Sequence, residues 1–429
     1  MAANIDIKYY NTYVLKKINR VGVSSSYDWY VEEARIRGGY NNVQTGLSPR
    51  AFLASDDNAQ QILANSVIYS GVVNSRTGIN QTNVFPSGQD ITRTVDPSKG
   101  SIQRLYSEDT NLTIFQERKV NRALIDKDAI YTQEGVPVQT TSNVVIGAIQ
   151  PYRGEFGISR NPESFAVFGY RKYFTDADQG AVLRLSQDGI TEISNYGMYD
   201  FFRDNLRTVG SGDIIGGYDI HNKCYVLSMQ PTSGGFQTLS FDEQIKGWTS
   251  TYSYSPSNMF SIQSNFFSTS SNQIYQHYAN PQNTTRASFY GIQYPSTVTT
   301  ILNVNPSLIK TFKTINYEGA GSWSLSSFVT NEDSANPITP YVAVTTLADM
   351  ENSLFKNEFK RKEDKYFANL INTSASTQGE VIFGRSISGI KGFFATAKLT
   401  ATNTSLDTQD SSFTNELFAV STNYNESSY

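Results

Sequence analysis

The stretch Tyr173–Asn195, YFTDADQGAVLRLSQDGITEISN, leaves a chain like this few options. Asp176-Ala-Asp178-Gln-Gly180 has the chemistry of a tight turn: short carboxylates that accept hydrogen bonds from nearby backbone amides, then a glycine that tolerates positive φ. Ser186-Gln-Asp188-Gly189 brings a second, with the Asp-Gly pair that suits a two-residue hairpin loop. Between them Ala181, Leu183 and Leu185 alternate with Val182, Arg184 and Ser186, an apolar row with a partly polar row opposite. Three short strands joined by such turns make most of one four-stranded propeller blade.

The rest of the chain follows the same grammar. Ser164–Tyr196 and Asp213–Tyr254 each read as strand, polar turn, strand, acidic turn with glycine, and closing strand. Leu112–Phe115 and Arg122–Asp126 predict a hairpin, Val144–Gly147 another strand, and Gln273–Tyr278 a last one, while Asn74–Pro97 reads as a long loop. Around Ser296 the character changes to longer strands at Val298–Val304, Ser307–Thr314 and Ser322–Val329, with Glu380–Phe383, Gly392–Thr400 and Leu417–Ser421 to follow. Helices are expected in two places. Ser55–Ala64 opens on N-cap residues, and Leu347–Glu363 carries Leu347, Met350, Leu354, Phe355 and Phe359 on one helical face, with Asp349 and Glu351 early and Lys360-Arg361-Lys362 late.

The fold class is therefore all-β: propeller-like blades, then a sandwich-like C-terminal domain carrying one amphipathic helix. The expected domains are 1–65, 66–295 and 296–429. Composition agrees, since 27 Tyr and 25 Phe accompany a charged fraction of only 17% among 429 residues, as in sheets that bury rings behind uncharged polar faces.

Catalysis finds little to work with. A net charge of −4 argues against a protein that grips phosphate backbones over a wide surface. A single cysteine, Cys224, excludes an intrachain disulfide and reads as a small buried hydrophobe. Two histidines, His221 and His277, are too few for a histidine metal centre. No apolar run reaches the length of a membrane span, and the N-terminus lacks the layout of a signal peptide. Asp176 and Asp178 resemble the start of a calcium loop, but the later ligands are missing at that spacing. Glu192, Asp200, Asp204, Asp242 and Glu243 are available for glycosidase chemistry, with nothing in the sequence to pair any two. No catalytic, cofactor-binding or metal residues are assigned and no enzymatic activity is expected. The site residues are interface candidates: Trp248, Tyr252 and Tyr254, which even spacing places on one strand face.

FDEQIKGWTSTYSYSP (Phe241–Pro256), FYGIQYPSTVTTILNVNPSLIKTFKTINYEG (Phe289–Gly319), FKRKEDKYFANL (Phe359–Leu370) and GIKGFFATAKL (Gly389–Leu399) together carry a family resemblance. The chain resembles the tail muzzle proteins, also called nozzle or phage stabilisation proteins, of crAss-like phages and related short-tailed phages, most clearly over residues 160–429. The resemblance implies a virion structural protein at the distal end of the tail, made in the host cytoplasm. It would stand in a ring of identical subunits below portal and ring proteins, closing or lining the exit channel and retaining the genome. Double-stranded DNA would pass it without sequence-specific binding. Members of that family are longer, so a short form or the C-terminal part of a longer product is expected. The alternative is a carbohydrate-binding or glycan-cleaving propeller in receptor recognition, dependent on Trp248 or Tyr252.

Overall fold

Among the described residues, antiparallel pairing of chain neighbours builds most of the sheets. The computed structural model describes residues 4–7, 10–19, 27–36, 43–46, 63–71, 73–74, 76–85, 91–108, 110–131, 137–210, 213–230, 235–279, 287–320, 322–341, 357–363, 365–373, 389–401 and 415–426. Two units, residues 1–264 and 265–429, divide the chain. The division falls ahead of the change of character at Ser296.

The first unit is built on three four-stranded meanders. The first runs Ile102–Ser107, Asn111–Gln116, Val120–Tyr131 and Pro137–Pro151. The second runs Ala166–Phe168, Arg171–Asp176, Ala181–Ser186 and Gly189–Glu192. The third runs Ile214–Asp219, Cys224–Met229, Gln237–Asp242 and Gly247–Tyr252. In each, sequence order is spatial order, the connectivity of a propeller blade. The turns form where the sequence places them, with Asp176 opposite Ala181 and Ser186 opposite Gly189.

The meanders stack face to face, and the alternation within Ala181–Ser186 makes that possible. Ala181, Leu183 and Leu185 join Phe115, Val120 and Phe165 in one core. Val182, one residue out of phase, joins Tyr173, Tyr225, Leu227 and Phe241 in another. The row opposite the leucines thus faces the third meander, and Arg184 is on it to meet a carboxylate there. Burying a leucine or phenylalanine side chain contributes about 1.5–3 kcal/mol, and these two cores hold most of the buried apolar residues among the described residues of the unit. Gly216 is required for the close approach: a Cβ there would lie 1.9 Å from the Ser164 carbonyl, which accepts a hydrogen bond from the Tyr225 hydroxyl at 2.7 Å.

A helix that the sequence reading did not foresee, Tyr199–Leu206, follows the second meander and buries Phe202 and Leu206. Ahead of the meanders, Tyr10–Asn19 pairs with Tyr27–Ile36 and Asn4–Ile7 with Val43–Gly46. The region expected as a loop between Asn74 and Pro97 also contains pairing: Ile79–Asn80 with Val73–Asn74, and Thr92–Thr94 with Ser66–Ile68. The expected helix at Ser55–Ala64 lies outside the described residues except for its last two positions, which lead into a turn.

The second unit opens with the hairpin Asn265–Ser270 and Gln273–Gln276 and then builds two sheets around one core. Ala395–Ala401 stands between Ser296–Leu302 and Trp323–Thr330. Lys310–Ala320 pairs with Lys365–Asn369, Ile390–Gly392 and Glu416–Glu426. Phe312, Ile315 and Tyr317 of the second sheet meet Leu325, Phe328, Ala397 and Leu399 of the first, the sandwich arrangement expected from the sequence.

One expectation here is corrected. The described end of the predicted helix is extended: Lys360–Lys362 is an edge strand paired with Lys365–Asn369. Phe359 is fully buried, edge-on to Tyr317 with ring centroids 4.9 Å apart. A single aromatic anchor beside a polar run satisfies a sheet edge as well as it satisfies a helix, and tertiary packing overrides the local preference. Residues 347–356 and the predicted strand Glu380–Phe383 lie outside the described residues.

Candidate functional site

Asp176 is the best-organised polar residue of the turn that began the sequence reading. Its carboxylate is 1% exposed and accepts from the Gly157 amide at 2.9 Å, the Ser159 hydroxyl at 2.8 Å and the Gln179 amide at 3.1 Å. Burial nevertheless pushes its pKa above the ordinary carboxylate value. Asp178 turns away to lie 3.8 Å from Arg118. The calcium-loop pattern is therefore a capped turn, and among the described residues no three His, Cys, Asp or Glu side chains cluster as metal ligands would.

The other carboxylates are each committed locally. Glu243 accepts from Arg184 at 3.0 Å and from the Tyr173 hydroxyl at 3.1 Å. Asp200 and Asp204 both hold Arg203, at 2.7 and 2.8 Å. Asp242 caps the Gln244 amide, and Glu192 accepts from Ser194. Ser268 lies 2.7 Å from His277 Nε2 and 2.8 Å from the Tyr290 hydroxyl, but its side chain is fully buried, where a substrate would not reach a nucleophile. Cys224 is buried in a strand, and burial pushes its thiol up to about 12, so it is inert at neutral pH.

The three aromatics assigned to one strand face do not share it. Trp248 pairs with Phe241, but Ser250 pairs with Ser240, so one extra residue is inserted on the Trp248 strand. Such a bulge reverses the alternation beyond it. Trp248 therefore packs on Phe202 and Phe241, with centroids at 4.5 and 5.4 Å, and its Nε1 donates to the Ile193 carbonyl at 3.2 Å. Tyr252 lies on the Thr238 and Ser240 side and leans on Tyr254, which is 4% exposed. Of the three, Trp248 and Tyr252 keep part of their surface outside.

Sequence reading passed over the aromatic ladder that joins the second and third meanders. Phe168 stacks on Tyr218 at 4.2 Å, Tyr218 on Tyr173 at 5.9 Å and Tyr173 on Tyr225 at 5.0 Å. These tyrosines were visible as strand residues; their mutual stacking depends on how two meanders meet. Among the described residues no helix is long and apolar enough to cross a membrane.

The class defined so far is a β-rich protein of stacked antiparallel meanders and a sandwich, whose conspicuous polar groups cap turns and tie strands together. Two family models then match in chain order: Crassvirus muzzle protein over residues 91–272, and Crassvirus muzzle protein C-terminal domain over residues 284–373. No curated protein matches the chain. The chain belongs to the Crassvirus muzzle protein family, and is thus a phage structural protein associated with the tail.

Proposed function

We propose that this chain is a subunit of the distal tail muzzle, where a ring of identical copies closes or lines the DNA exit channel and retains the packaged genome. One observation carries the reading: the muzzle and muzzle C-terminal matches follow each other along more than half of the chain. The stacked meanders would serve as propeller blades, rigid because both faces of the middle one are buried. The net charge of −4 suits a wall past which double-stranded DNA slides without sequence-specific contact. Portal and ring proteins would be its neighbours in the virion, after synthesis in the host cytoplasm. Its domains would be 1–65, 66–295 and 296–429. Subunit contacts would use the exposed parts of Trp248 and Tyr252, with Tyr254 as support beneath.

Depletion of the protein during infection tests this. Particles are expected to assemble heads and lose DNA, and antibody labelling is expected at tail tips. DNA-filled, stable particles without the protein would overturn the reading. Saturable oligosaccharide binding abolished by Tyr252→Ala in a protein that stays folded would favour the receptor-recognition alternative instead.

A further inference from the structure

A cavity of about 470 Å³ opens beside the Asp176 turn. Three arginines from three segments line it. Arg118 comes from the turn between Asn111–Gln116 and Val120–Tyr131, Arg160 from the segment after Ser159, and Arg207 from the C-terminal cap of the helix Tyr199–Leu206. Two carboxylates, Glu117 and Asp178, also line it, leaving an excess of one positive charge on an acidic chain.

The frame is fixed from beneath. Asp176 holds the Gly157 amide and the Ser159 hydroxyl on one side and the Gln179 amide on the other. The Ser159 amide donates to the Glu117 carbonyl and the Arg118 amide to the Lys99 carbonyl. Gly180, at φ +70°, lets the turn lie against the helix, where a Cβ would stand 2.9 Å from the Arg203 Cα. The backbones that carry the three arginines are therefore rigid, while the side chains of Arg118 and Arg160 stay 66% and 72% exposed.

The competing carboxylates are weakly placed. Glu117 is turned toward Ser101, accepting from its amide and hydroxyl at 3.2 and 2.5 Å, with Arg160 at 3.6 Å. Asp178 is 57% exposed and 3.8 Å from Arg118, beyond hydrogen-bond length. Guanidinium forks match the paired oxygens of a phosphate, and arginine rather than lysine is the residue suited to that geometry. A phosphodiester carries a single charge on two free oxygens, which meets the cavity's single excess charge.

We infer that this cavity binds the phosphodiester backbone of double-stranded DNA, independently of sequence. The inference rests on the proposed muzzle function, which brings DNA past the protein. The test uses the full chain and a labelled random-sequence duplex, read by fluorescence anisotropy across a salt series. Wild type should bind two unrelated sequences equally. Arg118→Gln/Arg160→Gln/Arg207→Gln should weaken binding about tenfold or more and flatten the salt dependence. Asp178→Asn, which removes a competing carboxylate, should tighten it. All variants are checked for folding by near-ultraviolet circular dichroism, and the gain in Asp178→Asn does not depend on the fate of the triple variant. Unchanged affinity in the triple variant overturns the inference. So does wild type that binds inorganic phosphate without binding duplex, which would make this a free-anion site. Incorporation of wild type and triple variant into tails separates the two readings: duplex binding through the cavity by a wild-type protein absent from tails removes the muzzle function and leaves the site. Normal incorporation with unaltered duplex affinity does the reverse.

Discussion

The Arg184 guanidinium reaches from the second meander to the Glu243 carboxylate of the third, Nη1 to Oε2 at 3.0 Å, with both side chains less than a fifth exposed. The other terminal nitrogen, Nη2, donates to Asp188 and Thr191, and the Tyr173 hydroxyl donates to the second oxygen of Glu243. One ion pair thus fastens two stacked sheets and locks the hairpin turn on its own sheet. Removing one partner leaves a mostly buried charge without its counterion. Arg184→Ala is expected to lose about 3 kcal/mol, seen as a lower urea midpoint. The pair Arg184→Met/Glu243→Gln should recover much of that, because neither residue then leaves an orphaned charge. Equal losses in the single and double variants would mean that the pair holds nothing together.

Asp176 gives a pH dependence of definite sign. Burial raises its carboxyl above 3.8 despite three hydrogen bonds that favour the carboxylate. The folded protein therefore holds this proton at pH values where the unfolded chain has released it. The resulting stabilisation is full below 3.8 and is lost as pH rises through the higher folded value. Asp176→Asn cannot titrate. Wild-type stability minus that of Asp176→Asn should fall as pH rises above 3.8, measured by urea unfolding of both proteins. A difference that grows with pH would show that the hydrogen bonds outweigh burial.

These two residues also mark how far the sequence could be read. Asp176 was recognisable as a turn cap because its partner Gln179 is three residues away; Gly157 and Ser159, the partners that tie it to another segment, were not. Arg184 stood out on the partly polar row opposite the leucines, but Glu243 lies 59 residues further on and nothing local joins them. Strands and hairpin turns are local properties, so the second and third meanders were legible in outline, whereas the first was read only as a hairpin and a separate strand, without Ile102–Ser107. The helix Tyr199–Leu206 left a short signal, Phe202 and Leu206 four apart with Asp200 and Arg203 three apart. The basic run Lys360–Lys362 misled because charge order along a chain is compatible with a helix end and with a sheet edge alike. The cavity of three arginines was invisible, since its members come from segments that meet only in the folded unit.

The bulge beside Ser240 makes Trp248 and Tyr252 separable by mutation. Trp248 fills the space between the helix residue Phe202 and the strand residue Phe241. Trp248→Ala should cost about 3–5 kcal/mol and expose the helix Tyr199–Leu206 to proteolysis. Tyr252→Ala opens no space in that core and should cost clearly less. If subunits meet on the Tyr252 side, this second variant should weaken assembly in analytical ultracentrifugation while the monomer stays folded. Comparable loss of stability in both variants would place them on one face after all.

Lys310 offers a last prediction, in the second unit. Its side chain is 1% exposed overall, and Nζ donates to three backbone carbonyls: Asn305 at 3.0 Å, Leu308 at 2.9 Å and Phe393. An ammonium has three N–H donors, and here all three are used without a carboxylate. The lysine therefore pins the turn before its own strand, Lys310–Ala320, to the segment between Ile390–Gly392 and Ala395–Ala401. Lys310→Met keeps the stem and its packing but leaves three carbonyls short of a donor. Each orphaned buried acceptor costs about 1–3 kcal/mol, less wherever water enters, so a total near 3 kcal/mol is expected. The loss should appear first as faster amide exchange at Leu308 and Phe394, ahead of global unfolding. Lys310→Arg should not rescue it, because a planar fork does not match three carbonyls arranged around a point charge. Stability unchanged in Lys310→Met would mean that water replaces the ammonium at no cost, and the pin would then have no role in holding the sandwich.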